Sequence, residues 1–96
     1  MQKEKITLDF TYARSPLFVR QTVAVAFGLF PRGDLTWHDL TAHIHTLERS
    51  ALPREIYVRG HASVSIALPE EKQSLGELFD VLSSRSPEIR ITFQIL

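Results

Sequence analysis

The sequence predicts an α/β domain in which helices pack on a small three-stranded parallel sheet. Three short segments alternate apolar and polar residues with the period of a strand, and helical periodicity fills the chain between them. Strands joined by helical crossovers pair in parallel, and such crossovers are right-handed. The expected order is β-α-α-β-α-α-β, in a single domain spanning residues 1–96.

The first strand and the first helix are marked by alternation and by a capping signal. Residues 5–10, KITLDF, alternate apolar and polar side chains, which predicts a strand with one apolar face. Ser15 and Pro16 suit the N-cap and the first position of a helix over residues 16–28. The apolar residues that recur there at helical spacing are Val19, Val23, Ala26, Phe27 and Phe30.

A second helix and a second strand follow the turn that Gly28 and the PRG segment, residues 31–33, indicate. Asp34 or Thr36 can cap this helix, and Leu-Pro at 52–53 breaks it. Its apolar stripe, spaced i, i+3, i+7 and i+10, consists of Trp37, Leu40, Ile44 and Leu47. Residues 54–59, REIYVR, are rich in strand-favouring types and predict the second strand.

The last part of the chain predicts two more helices and a strand. Residues 61–68, HASVSIAL, are interpreted as a short helix, and Pro69 begins a longer one that ends before Ser-Pro at 86–87. Glu70 and Glu71 suit the positive N-terminal end of that helix, whose buried stripe is Leu75, Leu78, Phe79 and Leu82. Residues 88–96 alternate apolar and polar side chains and predict the third strand.

Composition narrows the classes of function. Eleven basic and eleven acidic residues balance, and the arginines are scattered among acids, so neither nucleic acid nor a membrane is an expected partner. The chain has no cysteine, which excludes disulfides and thiol nucleophiles and suits a reducing compartment. The charged N-terminal segment does not resemble a signal peptide. We expect a cytoplasmic protein that is monomeric when free.

A cluster of three histidines and an aspartate, residues 38–45, is the richest chemical feature of the sequence. Zinc motifs on helices place two histidines four residues apart. His38 and His43 are five apart, roughly 140° around a helix, and two turns, about 10 Å, separate His38 from His45. Asp39 and His43 are one turn apart, and a pair seldom makes a metal site.

Catalytic signatures are absent from the sequence. It contains no G-x-S-x-G elbow, no G-x-G-x-x-G and no Walker loop. We therefore expect no enzyme, no cofactor and no bound metal.

The outward face of the second helix favours a docking role. Helical projection leaves His38, Asp39, Ala42, His45, Thr46 and Arg49 facing out, with His43 at the margin. Polar groups around a small alanine, next to a glycine turn, suit contact with another protein. Between Gly33 and Glu48 there are acids but no lysine or arginine.

Several segments resemble the barstar-like family of ribonuclease inhibitors. They are ITLDF near the start, the helix, glycine turn and helix that follow, and then LPREIYVRG, LPEEKQSLGELFDVL and RITFQIL. The resemblance implies a three-stranded parallel sheet with packed helices. It also implies a small intracellular protein that blocks a secreted or delivered ribonuclease, with the second helix and the preceding turn in the active site of that enzyme and acidic side chains replacing RNA phosphates.

The family motif maps onto this chain with one shift. Gly33 matches its turn glycine, and counting back from LPREI places Asp39 and His43 on its two helical acids. Counting forward from Gly33 places the first acid on Trp37, so a short insertion is expected within residues 31–38. The predicted partner-binding residues are Arg32, Gly33, Asp34, Trp37, His38, Asp39, Ala42, His43 and Thr46.

Two alternatives stay open from the sequence. One is a small metal-dependent or catalytic module that uses the cluster at 38–45. The other is an interaction domain with no nuclease target. The chain is neutral whereas such inhibitors are usually acidic, so an immunity protein specialised for one toxin of an interbacterial delivery system is the preferred interpretation.

Overall fold

The computed structural model, which describes residues 4–94, confirms the predicted α/β fold: a three-stranded parallel sheet with four helices, in the order β-α-α-β-α-α-β. The elements are β1 (Lys5–Asp9), α1 (Pro16–Ala26), α2 (Trp37–Thr46), a 3₁₀ turn (Arg49–Ala51), β2 (Glu55–Arg59), α3 (His61–Ala67), α4 (Pro69–Arg85) and β3 (Arg90–Phe93).

The sheet has the strand order β1-β2-β3, so β1 and β3 are its edges. The parallel register pairs Lys5 with Glu55 and Glu55 with Arg90. Alternation along the strands sends one set of side chains into the core, where Ile6 and Leu8 lie. Their neighbours Lys5, Thr7 and Asp9 are exposed, which means that the helices cover one face of the sheet.

The first helix begins as predicted and ends early. Ser15 Oγ accepts a hydrogen bond from the Phe18 N–H at 3.2 Å, with Pro16 at the first helical position. At the other end Gly28 adopts φ +78°, and the Leu29 N–H bonds back to the Ala24 carbonyl at 2.8 Å. Phe30 therefore lies beyond the helix and is 75 % exposed, which corrects its assignment to the apolar stripe.

The short helix α3 is confirmed, and a tight glycine introduces it. Gly60 has φ +72°, and a Cβ there would lie 2.6 Å from Thr11 Cα. Only glycine fits this backbone crossing without displacing the neighbouring chain.

The third strand is shorter than the predicted segment. It spans Arg90–Phe93, with Ile89 buried just before it, and the predicted strand residue Ile95 lies outside the described residues. Within residues 4–94, no helix combines the length and apolar character required to cross a bilayer.

Candidate protein-docking surface

The N-terminus of α2 is fixed by reciprocal hydrogen bonds. Thr36 Oγ1 accepts from the Asp39 N–H at 3.1 Å, and Asp39 Oδ2 accepts from the Thr36 N–H at 3.0 Å. This capping box selects Thr36 over Asp34 as the N-cap. The carboxylate of Asp39 therefore has a structural role in the free protein.

The inward face of α2 is the one that the spacing predicts. Leu40 and Ile44 are fully buried and join the main core. Trp37 and Leu47 are half-buried against it, and Leu47 lies one residue past the helix. The exposed side chains of α2, those of His38, Ala42, His45 and Thr46, lie outside the core.

A polar network joins the start of α2 to α4 and α1. The Trp37 indole N–H donates to Glu71 Oε2, and Arg20 Nη1 lies 3.2 Å from Glu71 Oε1. Arg20 Nε also donates to the Leu35 carbonyl at 2.7 Å. The Glu71 side chain is only 12 % exposed. A buried carboxylate is costly unless it is paired, and Arg20 supplies the opposite charge. The predicted role of Glu71 at the N-terminus of α4 does not include these contacts with Trp37 and Arg20.

Arg85 holds the other end of α2. Its guanidinium donates to the carbonyl of Ile44 and, at 2.8 Å, to the carbonyl of Leu47. A cation at a helix C-terminus satisfies carbonyls that lack helical partners and complements the helix dipole. The helix ends at Thr46, and Arg49 belongs to the 3₁₀ turn, so projecting the helix as far as Arg49 was wrong.

The turn that precedes α2 is anchored to α1. Gln21 Nε2 donates to the carbonyls of Pro31 at 3.0 Å and Arg32 at 3.2 Å. Leu35 is 1 % exposed and inserts into the core. The turn is thus fixed at both of its ends, while Gly33 between them is exposed.

Charges on the outward side are partly neutralised within the protein. Arg32 Nη2 lies 3.0 Å from Asp39 Oδ2, and Arg32 Nε lies 3.5 Å from Asp34 Oδ1. The hydrogen bonds from Thr36, assisted by Arg32, lower the pKa of Asp39 below its usual 3.8, so this carboxylate is ionised at neutral pH. Asp34 is the more accessible acid, with 84 % of its side chain exposed.

The histidines of the cluster separate into two kinds. His43 Nε2 donates to the Phe27 carbonyl at 2.8 Å, so its ring supports the end of α1. His38 and His45 are exposed on the outward side. The Asp39–His43 pair is therefore committed to other contacts, and no group of three or more potential metal ligands occurs in the part of the chain that the structure describes.

We define the docking surface as the nine residues predicted to bind a partner. The exposed members are Arg32, Gly33, Asp34, His38, Ala42 and Thr46, and the half-buried members are Trp37, Asp39 and His43. The structure brings them together on α2 and the turn before it. The supporting residues that sequence analysis missed are Arg20, Gln21 and Arg85, because their contacts lie far away along the chain.

Comparison of the chain with known protein-family models, with curated proteins and with solved structures gives no significant match.

Proposed function

We propose that this protein is a non-enzymatic immunity protein of barstar-like type, which binds a cognate toxin nuclease in the cytoplasm and covers its active site with the docking surface. A ribonuclease is the preferred target because the family resemblance implies one. The observation that carries the proposal is the support of α2, which Glu71 holds at one end and Arg85 at the other.

This support favours binding because a rigid surface loses little conformational freedom when a partner docks. The turn residues are held by Gln21 and by buried Leu35, and α2 is held by α4. The exposed outward side chains, such as those of Asp34, His38 and Ala42, can therefore change without disturbing the core. A surface of that kind suits a helix that enters the concave active site of an enzyme.

The acidic side chains of Asp34 and Asp39 suit contact with a basic active site. Their hydrogen bonds change which of the two we expect to make the first contact. The family motif places its first helical acid on Asp39, yet Asp39 already accepts bonds from Thr36 and Arg32. Asp34 needs no comparable rearrangement to meet a cation. We infer that Asp34 makes the first contact and that Asp39 and Arg32 bind as a pair. The net charge of zero predicts weak long-range steering and a modest association rate.

The experiment begins with the products of the genes that flank this one. Each is expressed and assayed for cleavage of a fluorogenic RNA, with and without the purified protein. Inhibition at equimolar concentration is expected for one of them. Failure to inhibit any flanking nuclease would contradict the proposal and favour an interaction domain without a nuclease target.

Variants locate the contact. Asp34→Lys and Ala42→Arg should each weaken inhibition by about a hundred-fold, because like charge or added bulk meets the enzyme. Asp39→Ala should weaken it by tens- to thousands-fold, with circular dichroism to monitor the lost cap. Asp80→Lys on α4 is the matched control, since this exposed acid makes no hydrogen bond or ion pair with the docking surface. Equal losses in Asp34→Lys and Asp80→Lys would place the contact elsewhere.

A further measurement addresses the metal hypothesis. The protein is dialysed against zinc and then against buffer, and its metal content is determined. Retention of stoichiometric zinc that His38→Ala abolishes would favour the metal-dependent module over the inhibitor.

A further inference from the structure

The outer edge of β1 presents backbone groups that the sheet does not use. The Phe10 N–H donates to the Arg59 carbonyl at 2.8 Å, and the Glu4 carbonyl accepts from the Glu55 N–H at 3.0 Å. The backbone N–H and C=O groups of the even-numbered residues of β1 therefore point towards β2. Because these directions alternate along a strand, the N–H and C=O groups of Lys5, Thr7 and Asp9 point away from the sheet. Among residues 4–94, no strand pairs with this edge.

We propose that this edge pairs antiparallel with β1 of a second copy, so that the two sheets join into one across a two-fold axis. With the axis at Thr7, Thr7 faces Thr7 of the second copy, and Lys5 faces Asp9 of the second copy. All three residues then exchange backbone hydrogen bonds across the axis, because each directs its N–H and C=O outward. This departs from the monomer that the sequence predicted.

We assign the second copy as the partner of this edge because the charges of β1 complement those of an antiparallel copy of the same strand. The two-fold axis creates the Lys5–Asp9 pair twice, and opposite charges directly across an antiparallel pair stabilise it. Moving the axis by one residue in either direction aligns Thr7 with Lys5 or with Asp9 and loses both charge pairs. The net charge of zero means that two copies do not repel each other.

The two charged side chains are exposed on β1 and accessible to a second copy. Among residues 4–94, Asp9 accepts hydrogen bonds at Oδ1 alone, from the Thr11 N–H at 3.0 Å and from Thr11 Oγ1 at 2.6 Å. These bonds lower the pKa of Asp9, so its charge persists at neutral pH. Lys5 Nζ lies 4.9 Å from the centroid of the Tyr57 ring on β2, and the Lys5 side chain is exposed, so it must turn from this ring to meet Asp9 of the second copy.

Helix α1 adds apolar surface beside the same edge. A groove of about 470 Å³ runs between Thr7 and Asp9 of β1 and the α1 residues Phe18 and Val25. Phe18 is 42 % exposed and Val25 is 60 % exposed, and their spacing of two helical turns places them on one face. A two-fold axis through Thr7 relates the two α1 helices side by side, which covers these side chains in an isologous contact.

Sedimentation equilibrium at high micromolar concentration tests the proposal, and it needs no nuclease. The protein should be dimeric, whereas Lys5→Asp and Asp9→Lys should each be monomeric because each places like charges opposite. An equimolar mixture of these two variants should restore a dimer that contains one of each. Arg90→Asp on the other edge strand is the control and should remain dimeric.

Three outcomes would overturn the proposal: a monomeric wild type, dimerisation that either charge reversal leaves unchanged, or a mixture that stays monomeric although both variants fold by circular dichroism. If Asp9→Lys fails to fold through loss of the Thr11 turn, Thr7→Pro replaces it. Proline is tolerated on a strand edge whose N–H faces solvent, so Thr7→Pro should fold as a monomer. A Thr7→Pro dimer would also overturn the proposal.

Discussion

Helices α2 and α3 precede and follow β2 in the chain, yet they are held in different ways. α2 begins with the Thr36–Asp39 capping box and ends on the Arg85 guanidinium. α3 begins at Gly60 with no side-chain cap and buries only Val64 among its residues. Side-chain hydrogen bonds hold both ends of α2, whereas α3 has no side-chain cap and depends on the main chain at Gly60, on buried Val64 and on the ring contact of His61 with Phe93.

The difference between α2 and α3 shows that the specific side-chain contacts are concentrated on α2. α3 is positioned by the close approach of Gly60 to Thr11 and by Leu68, which ends α3 and begins α4. α2 and the turn before it receive hydrogen bonds and an ion-pair network from three separate parts of the chain: α1 through Arg20, the start of α4 through Glu71, and the end of α4 through Arg85. A helix that only connects strands needs no such network, whereas a helix that must present a fixed surface benefits from it.

The largest expected effect comes from replacing isoleucine by alanine in α2, and the same replacement in α3 is its comparison. Ile44→Ala should lower the free energy of unfolding by about 2–5 kcal/mol, because Ile44 is fully buried and leaves a cavity. Ile66→Ala in α3 should change it by about 0.5 kcal/mol at most, since Ile66 is 85 % exposed. Urea denaturation measures both, and equal losses would contradict the assignment of the α2 core face.

Two glycine substitutions test whether the main chain fixes α3. Gly60→Ala should cost about 2–4 kcal/mol, because φ is positive and the new Cβ meets the Thr11 backbone. Gly76→Ala in α4 is the control: its Cβ meets nothing within 4 Å, and it should stabilise the protein by about 0.5–1 kcal/mol. A shift of thermal midpoint in the same direction for both variants would be evidence against this account of α3.

Adjacent acids at the start of α4 test the side-chain support of α2. Glu71→Ala removes the partner of both Arg20 and Trp37 and should cost about 1–3 kcal/mol. Glu70→Ala, at an exposed position, should be within about 0.5 kcal/mol of wild type. Trp37 is the single tryptophan, so its emission should change in the Glu71 variant alone. Unchanged emission would show that the indole does not depend on Glu71.

The smallest effect concerns pH and α3. Burial, with a contribution from Lys72, lowers the pKa of His61 below its usual 6.5. The folded protein therefore binds this proton less readily than the unfolded chain, and stability is lost as pH falls from about 6.5 towards the lower folded pKa. NMR titration gives the pKa, and His61→Gln should lose this part of the pH dependence of unfolding. Indistinguishable pH profiles for His61→Gln and wild type would refute it.

Local pattern was sufficient to predict the elements, the order and most of the core. Alternation marked the strands, Ser15 and Pro16 marked a helix start, and the spacing of Leu40 and Ile44 marked the buried face of α2. Each of these signals acts over a few residues, which is the range that a single sequence shows directly.

The supports of the candidate site could not be predicted because they join distant segments. Nothing local indicates that Arg85 terminates α2, or that Glu71 meets Trp37 and Arg20. The exposure of Phe30 was also missed, since it depends on the Schellman turn at Gly28 ending α1 before the apolar spacing stops. The proposed nuclease partner rests on the family resemblance and on no contact within the chain.

The parallel register also has a consequence for how the chain folds. Lys5 pairs with Glu55 and Glu55 with Arg90, so every strand pairing closes a long loop that contains two helices. Such non-local contacts raise the contact order and slow folding relative to a helical bundle of similar size. During synthesis, β1 must wait for β2, and the sheet is incomplete until Phe93 has left the ribosome. Until then β2 lacks β3 as its second neighbour, and chaperones that bind apolar strands have their opportunity in that interval.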